Sequence, residues 1–333
     1  MPKLRQLLYL SLLLVAGPLA AQVERNPGVI AVTVENDLLA DTDRNYTNGL
    51  RIAGALEAFP LPDFVANRSR WLGRNLLPSN PEQDSMSLEF AIGHSIFTPE
   101  DRLATRLLPD QHPYAGWLYL ESSVFVETES VLDTLSLQLG VVGPAAGGEF
   151  VQNNWHDIIE VDRLRGWSNQ LQNEPGLALH FDRRVRLRSI SGRGLGVDLI
   201  PNVGLSLGNV LTQGHVGATA RFGTDLGASW GPPRVRPALG GISTYERNRT
   251  VTWHLFAGAQ GRIVGRNLFL DGNTFRDSTS VRKRRLVADL QAGLVVHVGR
   301  YQLSYTWVHR TEEFTTQGDA QRFAAFSLVR RFR

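Results

Sequence analysis

The chain contains no cysteine, so no disulfide supports it. An exported protein without disulfides depends on size, on a closed sheet or on a membrane for its stability. Beyond the N-terminus there is no run of 18 apolar residues, which excludes helical membrane spans. There is also no strong charge of one sign: the net charge is +3 over 333 residues. The one basic cluster, Arg282-Lys283-Arg284-Arg285, reads as a solvated loop, and nucleic-acid binding is not expected.

What is present begins with a leader. Residues 1–21 carry Lys3 and Arg5, a short apolar run from Leu7 to Ala16, and small residues ending at Ala21. This is the layout of a secretory signal peptide, and the run is too short to span a bilayer, which needs about 20 residues. The division expected is a signal peptide over 1–21 and one outer-membrane β-barrel domain over 22–333.

The mature chain alternates with period two, strand after strand. Over 85–93, Met86, Leu88, Phe90 and Ile92 stand against Ser87, Glu89 and Ala91. Over 133–143, Leu135, Leu137 and Leu139 stand against Ser136, Gln138 and Gly140, and near 50, Leu50, Ile52 and Leu56 stand against Arg51, Ala53 and Ala55. One apolar and one small or polar face over about ten residues is the mark of a transmembrane β-strand. Trp117, Tyr119, Tyr301, Tyr305 and Trp307 are of the interfacial type. Twelve such strands are expected: 28–36, 46–57, 84–95, 115–127, 132–143, 176–188, 196–208, 214–224, 251–264, 285–297, 299–310 and 321–332. The fold class is therefore all-β, a 12-stranded antiparallel transmembrane barrel with a short helix in an extracellular loop. The connections 58–83 and 225–250 are long for periplasmic turns and have room for small helices.

With both termini on the periplasmic side, the stretches 35–49, 93–113 and 144–175 all fall on the outer rim. The first, Glu35 to Gly49, is dense in carboxylates and amides. The third has helical spacing: Phe150, Val151, Trp155, Ile158 and Ile159 form an apolar face, while Gln152 and His156 share another at i and i+4. A histidine beside an amide donor suits a general base with an oxyanion donor next to it. Two other patterns do not carry chemistry. Gly204-x-Ser206-x-Gly208 lies inside an alternating strand rather than on the strand–turn–helix that a nucleophile elbow needs. Asp41-x-Asp43-x-Asn45 opens like a calcium loop, but Tyr46 replaces its glycine and Ile52 its bidentate glutamate. A looser carboxylate site for a hard cation is compatible with it.

At these rim stretches the chain resembles the outer-membrane lipid A 3′-O-deacylases of the LpxR type. The resemblance is carried by VENDLLA, DRNYTNGL, FTPED, HPYAGWLYLE, GVVGPAAGGEFVQNNWHDII and GWSNQLQNEPG, which run in order from about 29 to 180. It implies a calcium-dependent ester hydrolase whose partner is lipid A or another outer-leaflet lipid in the outer membrane, with its active site facing outward. Carried over, the catalytic residues would be Asn36, Asp37, Thr47, Gln152 and His156, with Asp37 as the metal ligand. The family's basic substrate contact after the third strand would fall on Arg102 or Arg106. The alternative is a non-enzymatic pore or structural barrel whose rim loops only close the lumen.

Overall fold

The computed structural model describes residues 28–37, 45–59, 85–128, 130–158, 160, 162–192, 194–232 and 251–332. The leader and most of the 58–83 and 225–250 connections lie outside these residues. Twelve strands follow in chain order: β1 Gly28–Asn36, β2 Asn45–Phe59, β3 Ser85–Thr98, β4 Ala115–Glu127, β5 Val131–Val142, β6 in two segments Glu174–Val185 and Leu187–Gly192, β7 Leu195–Gly208, β8 Leu211–Gly223, β9 Thr252–Asn267, β10 Leu286–Val298, β11 Tyr301–Arg310 and β12 Gln321–Arg331. Each strand coincides with an expected one to within a few residues. Both segments of β6 pair with β7, so the break at Arg186 interrupts one strand and adds none.

Every strand pairs antiparallel with its chain neighbour, and β1 closes on β12 over Val29↔Arg331 to Asn36↔Ala324. Closure leaves no unpaired edge, which is what a sheet in hydrocarbon requires. The alternation of the sequence becomes an outside and an inside. Each strand presents at least one exposed apolar residue to the exterior, from Ile30 and Ile52 to Leu303 and Phe326.

The interior is polar, interlocked and plugged. Arg51 bonds both Glu89 and Glu121. Arg310 and Arg262 share Asp289, and Arg221 pairs with Asp198. Ser206 is a buried member of β7, with its hydroxyl 2.8 Å from His180 Nδ1, so it is no nucleophile elbow. At the periplasmic end a turn at Leu226–Ala228 brings Trp230 against Phe125, Leu132 and Ile200. At the outer end a four-residue helix, Leu268–Asp271, seats Phe269 on Phe97 with ring centroids 4.1 Å apart.

Candidate active site on the outer wall

The loop from β5 to β6 carries the helix α1, Gly148–Ile158. A 3₁₀ turn over Pro144–Ala146 leads into it from Gly143, whose φ of 102° only glycine adopts readily. The helix lies outside the barrel. In β4, Ala115, Trp117 and Tyr119 face the lumen, so Gly116 faces out. A Cβ on Gly116 would stand 3.1 Å from Gly148 N, and a Cβ on Gly148 would stand 3.0 Å from the Trp167 ring. These two glycines let a helix backbone rest on a strand backbone. His94, also outward, hydrogen-bonds Ala146 O through Nε2 at 2.9 Å.

The helix is turned in an unexpected sense. Its buried residues are Gly148, Gln152 and His156, whereas Phe150 is 73% and Ile158 72% exposed. The apolar face that sequence periodicity assigns to a core points away from the barrel, and the polar face lies against the wall. A helix at the level of the membrane interface has apolar surroundings outside and a polar site beneath, which reverses the usual amphipathic preference.

On the buried face of this helix His156 is completely enclosed. Its Nδ1 lies 2.6 Å from Asp162 O, and a carbonyl can only accept, so Nδ1 carries the proton. Nε2 then presents its lone pair, which accepts from Gln152 Nε2 at 2.8 Å. Two bonds hold the Asp162 segment in place: Arg163 Nε donates to Asp157 Oδ1 at 2.7 Å, and Leu164 N donates to Asn153 Oδ1 at 3.0 Å. The Arg163 guanidinium also lowers the Asp157 carboxyl below its ordinary pKa. Gln152 Oε1 is buried without a hydrogen-bond partner.

The residues from β1 and β2 sit on the same wall. Pairing carries one level across the sheet from Asn36 to Asn48, to Ile96 and to Gly116. At this level the outward residues are buried rather than exposed: Asn36 at 7%, Ile96 and Thr98 at 0%. Ile96 is covered by Tyr114, Leu164 and Trp167 from the rim loops. The extra residue at Thr47 breaks the β2–β3 register and places its hydroxyl 2.7 Å from that of Thr98. Asp37 is fully buried, and its N–H donates to Thr47 O at 3.4 Å. Asn36 and Asp37 thus stand two strand spacings, about 10 Å of sheet, from β3, and Thr47 stands one spacing from it, while α1 lies over β3 and β4. Glu35 does not join them, because it faces the lumen and accepts from Tyr46 OH at 3.0 Å.

Of the two candidate basic residues, Arg102 has its carbonyl bonded by Tyr114 OH and Arg165 N, beside the segment that orients His156. Arg106 is exposed and lies near His112, Asn169 and Thr279 instead. Sequence reasoning assigned no role to Asp162, His94 or Thr98. His94 and Thr98 had a signal, since each puts a polar side chain at an outward position of an alternating strand. Asp162 acts through its backbone and had none.

The described donors suit a hard cation in kind, being the Asp37 carboxylate and amide oxygens that include the unpartnered Gln152 Oε1. Among the described residues no three His, Cys, Asp or Glu converge, so Asp37 would need neutral oxygens and water to complete six to eight ligands. The Asp41 and Asp43 of the acidic stretch lie outside the described residues.

A closed twelve-stranded barrel with an apolar exterior defines an integral outer-membrane protein. The family model "Outer membrane protein LpxR" matches residues 7–332, and the chain belongs to that family. Among solved structures, LpxR from Salmonella typhimurium superposes with a TM-score of 0.74 at 22% identity, covering 91% of this chain and 99% of that one. The β domain of the Bordetella autotransporter BrkA reaches 0.41 at 10% identity, covering 92% of this chain and 98% of that one. No curated protein matches.

Proposed function

We propose that this protein is an outer-membrane ester hydrolase that removes acyl chains from lipid A, in the manner of the 3′-O-deacylases, with its site open to the outer leaflet. Membership of the LpxR family supports the class. The observation that carries the reading is His156, buried with its Nε2 lone pair aimed into a site on the lipid-facing wall, beneath a helix whose exposed face is apolar. That placement suits a substrate whose acyl chains stay in the membrane while its ester bond reaches the wall.

In the proposed reaction a water displaces the Gln152 amide from Nε2. His156 takes a proton from this water as its oxygen attacks the ester carbonyl. The Asp162 carbonyl holds the imidazole in the required tautomer and stabilises the imidazolium that forms. Amide N–H groups of Asn36 and Gln152 donate to the oxyanion. As the tetrahedral intermediate collapses, His156 returns the proton to the departing sugar oxygen, giving a free fatty acid and an alcohol. Calcium held by Asp37 and neutral oxygens would supply Lewis-acid charge near that oxyanion. Thr47 positions the strand end that carries the site, and Arg102 is the better placed of the two arginines to meet a lipid A phosphate.

The interlocked lumen speaks against the pore alternative, since the lumen-facing charges among the described residues are paired across the interior rather than spaced along a channel. The test is mass spectrometry of lipid A from cells with and without the protein. Loss of the mass of an ester-linked acyl chain is expected, and identical lipid A profiles under expression would refute the hydrolase reading.

A further inference from the structure

Five strands round the barrel from α1, the outer wall carries a second feature. A groove of about 750 Å³ runs just below the rim over β7–β10, a volume within the range of ligand pockets. Its floor is made of residues without bulk. Gly214 and Gly261 face outward, and a Cβ built on either would meet nothing within 4 Å. Val216 at 65%, Ile263 at 64% and Leu286 at 72% exposed form its flanks, among the most exposed aliphatic side chains on the wall.

The mouth of the groove is cationic. Arg284 lines it, and the basic cluster of residues 282–285 lies there at the end of the β9–β10 loop, on the rim that also carries α1. Within the cluster, Lys283 is neutralised by Asp271 at 2.6 Å. Arg282, Arg284 and Arg285 are exposed and take part in no ion pair among the described residues. Glu312 lines the same mouth as Arg284, and Arg282 and Arg285 flank Arg284 in the chain.

We infer that this groove binds a phosphorylated lipid of the outer leaflet. Its acyl chain lies on the Gly214–Gly261 floor, and its phosphate is met by Arg284 with Arg282 and Arg285. The occupant follows from two features together. The apolar part of the groove lies on the surface that faces lipid in a membrane barrel, where a free anion or a soluble peptide gains nothing from the floor. The unpaired arginines stand at headgroup level and favour an anionic headgroup over a zwitterionic one. The site is separate from His156, and its occupancy does not depend on hydrolysis.

The experiment is native mass spectrometry of the full chain in detergent, titrated with dimyristoyl phosphatidylglycerol or dimyristoyl phosphatidylcholine. The wild type is expected to retain the phosphatidylglycerol preferentially, with roughly fivefold preference per unpaired arginine that engages. Arg282→Ala/Arg284→Ala/Arg285→Ala is expected to remove the preference while still binding lipid. Gly261→Leu, which fills the floor from an outward position, is expected to lose one bound lipid of either kind. Equal retention of the two lipids by the wild type would overturn the inference. So would a preference unchanged in the triple variant, or a dimer mass in place of a lipid-bound monomer. His156→Ala should bind as the wild type does, so failure of the groove and failure of the hydrolase reading are separately visible.

Discussion

His156 Nε2 accepts a hydrogen bond from Gln152 Nε2 at 2.8 Å while His156 Nδ1 donates to the Asp162 carbonyl at 2.6 Å. The ring is thus held at both ends in one tautomer. His156→Ala is expected to reduce ester hydrolysis by roughly two to four powers of ten. The barrel should stay folded, because α1 lies outside the strand ladder. Purified variant and wild type hydrolysing a lipid A ester at equal rates would remove the catalytic assignment.

The contact of Gly116 with Gly148 sets the height of this pair above the wall. A side chain at Gly116 would meet Ala146 Cβ at 3.1 Å and Gly148 Cα at 3.2 Å, with the helix backbone in the way. Gly116→Val is therefore expected to lift α1 and to cost about a hundredfold in rate, as a displacement near 1 Å does. Heat-modifiable migration on gels should be unchanged, because the valine points away from the lumen. Full activity in this variant would mean that α1 does not need its close seat.

Chelation is the direct test of the cation. Removing divalent ions is expected to abolish hydrolysis, and calcium should restore it better than magnesium, whose small octahedral shell suits a mixed set of amide and carboxylate oxygens poorly. Asp37→Asn should raise the calcium concentration needed for half-maximal rate and be rescued only in part by excess. Activity indifferent to chelator would remove the metal from the mechanism.

Inside the barrel, Arg51 is the shared cation of two carboxylates, donating to Glu89 and, at 2.7 Å, to Glu121 Oε1. Removing one member of such a buried network leaves uncompensated charge and costs about 3–5 kcal/mol. Arg51→Ala should lower the guanidinium midpoint accordingly, and adding Glu89→Ala should recover part of the loss. Hydrolysis by the folded fraction should be unaffected, because the network lies on the other side of the wall. An unchanged midpoint in the single variant would show that the network adds nothing to stability.

The rim has its own pH dependence. His112, stacked on Phe97 with centroids 5.4 Å apart, has its pKa lowered by burial. The unfolded loop takes up a proton below about pH 6.5, whereas the folded loop resists protonation. Stability of the loop is therefore complete above that pH and falls as the pH drops toward the lower folded value. Protection factors for hydrogen exchange over 99–114, which divide out the intrinsic pH dependence of amide exchange, should fall between pH 7 and pH 5 in the wild type. In His112→Phe the fall should be absent, and finding it there would place the sensitivity elsewhere.

Much of this architecture is legible in the residue order. Period-two alternation in runs such as Ser87 to Gly93 names the strands and their two faces, because the pleat forces neighbours to opposite sides. The count of twelve puts the loops at 35–49 and 144–175 on one rim, and i, i+4 spacing puts Gln152 and His156 within hydrogen-bond reach. These are local rules that need no knowledge of distant contacts. The tertiary structure alone decided the rest. The charges that cross-link the lumen, such as Arg51 with Glu121, are 70 residues apart in the chain and meet only when the sheet closes. Which face of α1 is buried depends on what lies on either side of it, and hydrocarbon outside with a polar wall inside reverses the choice that composition alone suggests. The tautomer of His156 rests on a backbone carbonyl, and every residue has one, so no side-chain pattern could have named Asp162.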